Sequence, residues 1–265
     1  MLQANDNVPH IIVNSGSYIG LPLNAVFLQA HRCGCYGLAL QTASQHVFVD
    51  SNKIGDLTTL YALIEQYQIP IYTVLAKPYH YSLFALEGSL HWNASLSYYI
   101  NVLNLASSLG AKSVCFGLDG AYYDKPMAFQ HRCLIDRLRH LNEAANTRSL
   151  RIDLRIDKTS PFQFDTIESV FSTLNLLPCD IGLLITQGVL QTEDHSLSAW
   201  LQTFASRIVA VEISDLSGAI QKRIPQVATM HNLQLLLSPS TAAVRNAPEK
   251  LMEIEVQNLK HEIQR

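Results

Sequence analysis

Leu150–Val189 reads LRIDLRIDKTSPFQFDTIESVFSTLNLLPCDIGLLITQGV. Ile152, Leu154 and Ile156 alternate as a strand requires, and Ile167, Val170, Phe171 and Leu174 recur at helical spacing. Asp165 stands where an N-cap belongs, with Glu168 three residues on to complete a capping box. Pro178 stops the helix, and Ile181–Ile185 is apolar enough for a strand covered on both faces. The segment is a β-α-β unit, and it predicts a parallel sheet.

The same alternation runs through the rest of the chain. Strands are expected at His10–Asn14, Tyr36–Gln41, Ile69–Leu75, Lys112–Phe116, Ile208–Ser214 and Leu233–Leu237. Helices fall between them: one opening at Pro22, one over Asp56–Tyr67 with Asp56 as cap, one over Ser95–Leu109, and others around Leu134–Leu141 and Leu197–Phe204. A charged helix from Pro248 closes the chain. Short connections and the absence of any Pro/Gly/Ser-rich linker predict an α/β fold with one domain over 1–265, a single (β/α)8 TIM barrel. An open, doubly wound sheet is the alternative. Ser15-Gly16-Ser17-Tyr18-Ile19-Gly20 has the wrong spacing for a dinucleotide fingerprint, and no phosphate-cradling P-loop appears.

The formal charge of -3 removes the usual argument for a nucleic-acid partner, which rests on a clustered basic surface. Arg137, Arg139 and His140 read as the solvated face of a helix. No apolar run approaches the roughly 20 residues that span a bilayer, so no membrane partner is expected. Five scattered cysteines without a recognisable leader suggest a reducing, cytoplasmic setting. Cys33-Gly34-Cys35 has neither metal nor redox spacing and reads as packing at a helix end.

Four passages carry a resemblance in the correct order: Ala30–Gln41 (AHRCGCYGLALQ), Leu109–Leu118 (LGAKSVCFGL), Ile181–Val189 (IGLLITQGV) and Arg207–Gly218 (RIVAVEISDLSG). Together they resemble the xylose isomerase-like barrels, which include sugar-phosphate isomerases and epimerases, dehydratases and the endonuclease IV type. The resemblance implies a divalent metal held by carboxylates and imidazoles at the C-terminal strand ends, polarising a hydroxyl or carbonyl. Here the matching positions carry Leu40 or Gln41, Phe116, Arg155, Thr186, Val189 and Glu212, and the eighth strand ends at Ser238. Phe, Val, Thr and Arg are not ligands for a hard or borderline cation, so the metal site reads as degenerate, with no cofactor expected.

The fold places active residues at those same strand ends. The catalytic candidates are Glu212, Arg155 and Lys158. The ligand-binding candidates are Gln41, His46, Lys77, His80, Asp119, Tyr122, Thr186, Gln187 and Asp215, with Asn14, Ser17, Asp124 and Asp157 also at the mouth. Arg155 and Glu212 either pair across the barrel as a structural plug or act as an anion clamp and an acid–base group. Lys77 and Lys158 have the chemistry for a Schiff base if buried beside another cation. The partner implied is a small polar or anionic metabolite, bound or converted without the metal by an isomerase, epimerase or lyase, or held by a non-catalytic binding protein. The alternative is one divalent cation, such as Mn or Zn, in a metal-dependent isomerase, epimerase or dehydratase with ligands relocated to Glu212, His80, Asp119 or His195. Sequence leaves the oligomeric state open.

Overall fold

The computed structural model describes residues 10–42, 45–77, 81–85, 89–118, 125–158, 166–190, 196–215, 219–239 and 248–264. Its eight strands are β1 Ile11–Asn14, β2 Gly37–Gln41, β3 Ile71–Ala76, β4 Ser113–Gly117, β5 Arg151–Ile156, β6 Gly182–Thr186, β7 Ile208–Ile213 and β8 Gln234–Leu237. Every neighbouring pair is parallel, and β8 returns to β1 through Ile12↔Leu236, so the sheet closes into a barrel. The open-sheet alternative is thereby removed. Around it stand α1 Leu23–Arg32, α2 Thr58–Tyr67, α3 Leu90–Ser108, α4 Met127–Asn146, α5 Ile167–Leu174, α6 Leu197–Phe204, α7 Ala219–Met230 and α8 Pro248–Gln264. No helix of the described residues is long and apolar enough to cross a membrane.

Strand alternation divides the apolar residues into two cores. Residues pointing outward, such as Leu38, Leu40, Val74, Phe116, Ile152 and Val211, pack with the helices. Those pointing inward form a small separate cluster of Ile12, Ala39, Leu75, Cys115, Leu184, Ala210 and Leu236. Seven strands each contribute one residue to that ring. The eighth contributes Asp153, 4% exposed and bonded to Arg151 Nε at 2.6 Å. A carboxylate so placed needs a partner and space. Arg151 provides the first, and Gly182 the second: a Cβ there would collide with Asp153 Oδ1. Below this ring, Gln234 Nε2 donates to the Tyr72 hydroxyl and closes the lower end.

Several local expectations shift. α3 begins at Leu90 rather than Ser95, because Ser89 is already extended and its carbonyl accepts from Trp92 N at 3.0 Å. α2 begins at Thr58, with Asp56 Oδ1 accepting from its amide at 2.9 Å from just outside the helix. The N-cap of α5 is Thr166, which accepts from Ser169 N; Asp165 lies outside the described residues. The reading of Arg137 as solvated is overturned. It is 1% exposed, and its guanidinium lies 3.7 Å over the Trp92 ring, while Nη2 donates to Ala85 O. α4 thus presents Arg137 to α3, whereas Arg139 and His140 remain exposed. Cys33 and Cys35 are buried beside Gly34, whose φ of +64° ends α1 in the left-handed conformation glycine favours.

Two stability tests follow from the interior. Gly182→Ala should cost about 1–3 kcal/mol in a denaturant titration, the usual scale of overpacking, with part recovered when Asp153→Ala is added; a wild-type midpoint for the single variant would contradict the collision. In a thiol titration Cys179, which is exposed, should react first. Cys33, Cys35 and Cys115, buried and with thiols pushed up chiefly by that burial, should react only on unfolding.

Candidate functional site

Moving two residues along each strand from the inner ring keeps the side chain inside and brings it to the C-terminal mouth. Ile12, Ala39, Leu75, Cys115, Asp153, Leu184, Ala210 and Leu236 lead in this way to Asn14, Gln41, Lys77, Gly117, Arg155, Thr186, Glu212 and Ser238. On six of the eight strands an apolar group gives way to a polar one in that single step, the exceptions being Cys115 to Gly117 and Asp153 to Arg155. All of the upper set except Thr186 line a cavity of about 330 Å³, floored by Leu75 and Cys115.

Arg155 organises this mouth. Its Nε donates to Glu212 Oε2 at 2.6 Å, and its Nη1 lies 2.6 Å from Asp157 Oδ2. Glu212 is almost buried, at 9% side-chain exposure, and Arg155 retains 35%. Burial opposes the guanidinium's charge, but the Glu212 carboxylate, with Asp157 behind it, outweighs that and holds Arg155 above its usual range. It is therefore charged throughout the working pH range. Of its two carboxylate partners only Glu212 lines the cavity with it. Cys115 beneath is fully buried, and burial, joined by Asp153 and Glu212, pushes its thiol well up, so it is a thiol rather than a nucleophilic thiolate.

Across the cavity the β1 and β8 ends are joined. Asn14 Nδ2 donates to Ser238 Oγ at 2.8 Å, and its Oδ1 accepts from Gly16 N at 2.9 Å. That second bond caps the short 3-10 turn Ser15–Tyr18. Gly16 is open for a reason: a Cβ there would strike the Gln41 carboxamide lying over it. Thr186 faces inward in register with Glu212, and its hydroxyl oxygen is buried without a hydrogen-bond partner among the described residues.

The sequence-derived candidates separate into three groups. Gln41, Lys77, Arg155 and Glu212 converge on the cavity, with Asn14 and Ser17. Others are elsewhere or engaged. Gln187 Oε1 accepts from the amides of Ser214 and Asp215 at 2.8 and 2.9 Å, and its Nε2 donates to Asp215 O, so it clamps the turns after β6 and β7 together. His46 Nε2 bonds to Leu21 O at 2.8 Å. Lys158 is exposed in the turn after β5 and Asp215 is exposed after β7; neither lines the cavity. His80, Asp119 and Tyr122 lie outside the described residues, as do Asp124 and Glu193-Asp194-His195. Phe116 is no member of the mouth, since its ring packs edge-on to Tyr99 at 5.0 Å in the helix layer and Gly117 takes the inward position. Sequence reasoning gave no role to Ser238, Thr42 or Tyr98. A period-two count from the inner ring finds the first; the other two follow only from contacts between distant segments.

The described donors do not suit the divalent cation that the sequence resemblance implies. Glu212 is the one carboxylate among the eight inward positions of the mouth, and a guanidinium stands against it at 2.6 Å. No group of three or more His, Cys, Asp or Glu able to hold a metal occurs among the described residues.

No family model and no curated protein matches this chain in sequence. Solved structures do match in shape. The 3-keto-D-glucoside 4-epimerase YcjR from E. coli superposes with a TM-score of 0.76 at 14% identity, covering 96% of this chain and 99% of that one. D-psicose 3-epimerase from Clostridium cellulolyticum H10, solved with D-tagatose, gives 0.76 at 12% over 96% and 98%. A sugar phosphate isomerase/epimerase from Parabacteroides distasonis gives 0.73 at 7% over 99% and 98%. The chain therefore has the fold of the sugar isomerase and epimerase barrels, over their whole length.

Arg155→Met leaves Glu212 nearly buried and unpaired, and should lower stability by about 1–3 kcal/mol, discounted for the partial exposure of the arginine. Adding Glu212→Gln should return much of that loss. Strictly additive losses in a denaturant cycle would mean that the pair contributes nothing.

Proposed function

We propose that this barrel binds and converts a small hydroxylated, carbohydrate-like metabolite at its C-terminal mouth, without a divalent cation. The observation that carries this reading is Arg155 held between Glu212 and Asp157 inside a polar cavity of about 330 Å³. That volume lies at the lower end of small-molecule sites and suits a ligand of monosaccharide size. The shared fold with sugar epimerases supports the ligand class, as analogy.

In this reading Glu212 is the acid–base group. Its carboxylate takes a proton from the carbon beside the ligand carbonyl, the C–H electron pair becomes the carbon–carbon double bond of an enediolate, and the carbonyl electrons move onto oxygen. Arg155 supplies the positive charge that a metal supplies elsewhere. Its Nε and Nη1 are engaged with the carboxylates, while Nη2 has no partner among the described residues and is the donor for the oxyanion. Asn14, Gln41 and Ser238 supply hydroxyl-binding groups on the opposite side. Return of the proton to the neighbouring carbon, with the enediolate's hydroxyl proton passing to the oxyanion so that its own oxygen becomes the new carbonyl, completes the isomerisation. Lys158, exposed outside the cavity, has no part in this scheme. The cysteines, all free, fit a reducing cytoplasmic setting.

The reading is tested by calorimetric screening of ketoses, aldoses and their phosphates, followed by proton exchange of any bound sugar in D2O. Glu212→Gln should slow exchange by about 10²–10⁴-fold, the scale of a general base, and chelator treatment should leave it unchanged. Exchange lost to chelator and restored by Mn2+ would establish the metal-dependent alternative. Binding with no exchange in the wild type would leave a non-catalytic binding protein.

A further inference from the structure

We propose that a polar cleft between α1 and α8, on the outer wall of the barrel, is a second binding site, and that it takes a small zwitterion of the α-amino acid class. The two helices lie side by side. Val26, Phe27 and Ala30 of α1 and Met252, Val256 and Leu259 of α8 are fully buried in the outer core. Beside that apolar seam, Gln29, Arg32 and Cys33 share one face of α1 at i, i+3 and i+4, and Lys250, Glu253 and Gln257 share one face of α8 at i, i+3 and i+7. Together they line a cavity of about 290 Å³, near the lower end of small-molecule sites and large enough for a free amino acid. Lys260 Nζ donates to Cys33 O at 2.8 Å, which ties the end of α1 to α8. None of the cleft residues lines the mouth, so this inference stands apart from the reading of that site.

Two observations separate this cleft from a solvated rim. Gln29 is only 8% exposed and lines the cavity, yet its carboxamide makes no hydrogen bond among the described residues. A buried amide ordinarily has a partner, because the hydrogen bonds it gave up to water must be replaced. The cleft is where such a partner has room. The second observation is that Arg32, Lys250 and Glu253 surround one gap, and none of the three forms an ion pair or side-chain hydrogen bond among the described residues. Charges of both signs that line one space without meeting suit a molecule that carries both signs. The ligand carboxylate lies between the Arg32 guanidinium and the Lys250 ammonium, and its ammonium faces the Glu253 carboxylate. Gln29 and Gln257 can donate to the first group and accept from the second. A simple anion would leave Glu253 facing like charge, and a simple cation would meet two of its own sign. Burial pushes the Cys33 thiol up, with Glu253 adding to the shift, so this residue is a neutral part of the wall.

Isothermal titration of the full chain with the common L-amino acids, one at a time, tests this. At least one should bind, and its two fragments, the acid without the ammonium and the amine without the carboxylate, should each bind at least about tenfold more weakly. Affinity should fall as salt rises. Arg32→Met and Lys250→Met should each weaken the amino acid by about tenfold. Glu253→Gln should weaken the amino acid to a similar extent and leave the acid fragment bound as well or better, a reversal that a general loss of stability does not produce. Gln29→Leu should weaken binding while the thermal midpoint of the ligand-free chain holds or rises, because an amide without a partner has been removed. Failure of every amino acid to bind, or binding that survives all four substitutions, overturns the site. Inorganic phosphate bound more tightly than any amino acid, and more tightly still by Glu253→Gln, overturns the zwitterion in favour of a simple anion.

Discussion

Closing eight parallel strands leaves an interior wide enough for side chains and nothing else, so every second residue of each strand competes for the same space. Here that space is filled by one ring of seven apolar residues and Asp153. Everything at the mouth is set by this ring, because the residue two positions further along each strand must also point inward. The ring also accounts for the glycines that bear on it. Gly182 makes room for Asp153, and in the turn after β1 Gly16 makes room for Gln41. Neither could carry a side chain without displacing a polar group that the interior is arranged to hold.

The electrostatics of the mouth follow from what it costs to keep charges partly out of water. A nearly buried Glu212 requires a partner, and Arg155 provides it at 2.6 Å. Asp157 takes a second edge of the same guanidinium, Nη1, at 2.6 Å. The arrangement compensates a nearly buried charge and sets a carboxylate and a guanidinium side by side at one place. Structural and chemical roles are not competing accounts of this pair. The same bond that compensates burial also orients the carboxylate toward the cavity it lines.

Likeness to sugar epimerases extends over the full length of the chain at 7–14% identity. At that distance what persists is the architecture, because many sequences satisfy its packing rules, while a site depends on particular atoms. The contrast is plain at the strand ends. At strand ends where the sequence resemblance implies metal ligands, the described residues include an arginine and its two carboxylates.

Sequence by itself determined the β-α-β succession and the parallel sheet, while the choice of a closed barrel over an open sheet was decided by the pairing of β8 with β1. The alternation of Ile152, Leu154 and Ile156, the helical stripe of Ile167–Leu174 and their repetition along the chain are local signals, and local periodicity is all that a β-α-β succession needs. It also singled out Arg155 and Glu212, since charged residues inside otherwise apolar strands stand out. It could not decide between Leu40 and Gln41, or see that Phe116 yields its place to Gly117, because a strand covered on both faces reads as a continuous apolar run and has no marked inner side. Closure of the barrel made that choice. Nor could it see that Arg137 lies under Trp92, that Gln187 is a clamp, or that Thr42, bonded to Tyr98, accepts from the Lys77 amide. Each of these depends on contacts between segments far apart in the chain, and such contacts exist only once the helices have been laid around a closed sheet.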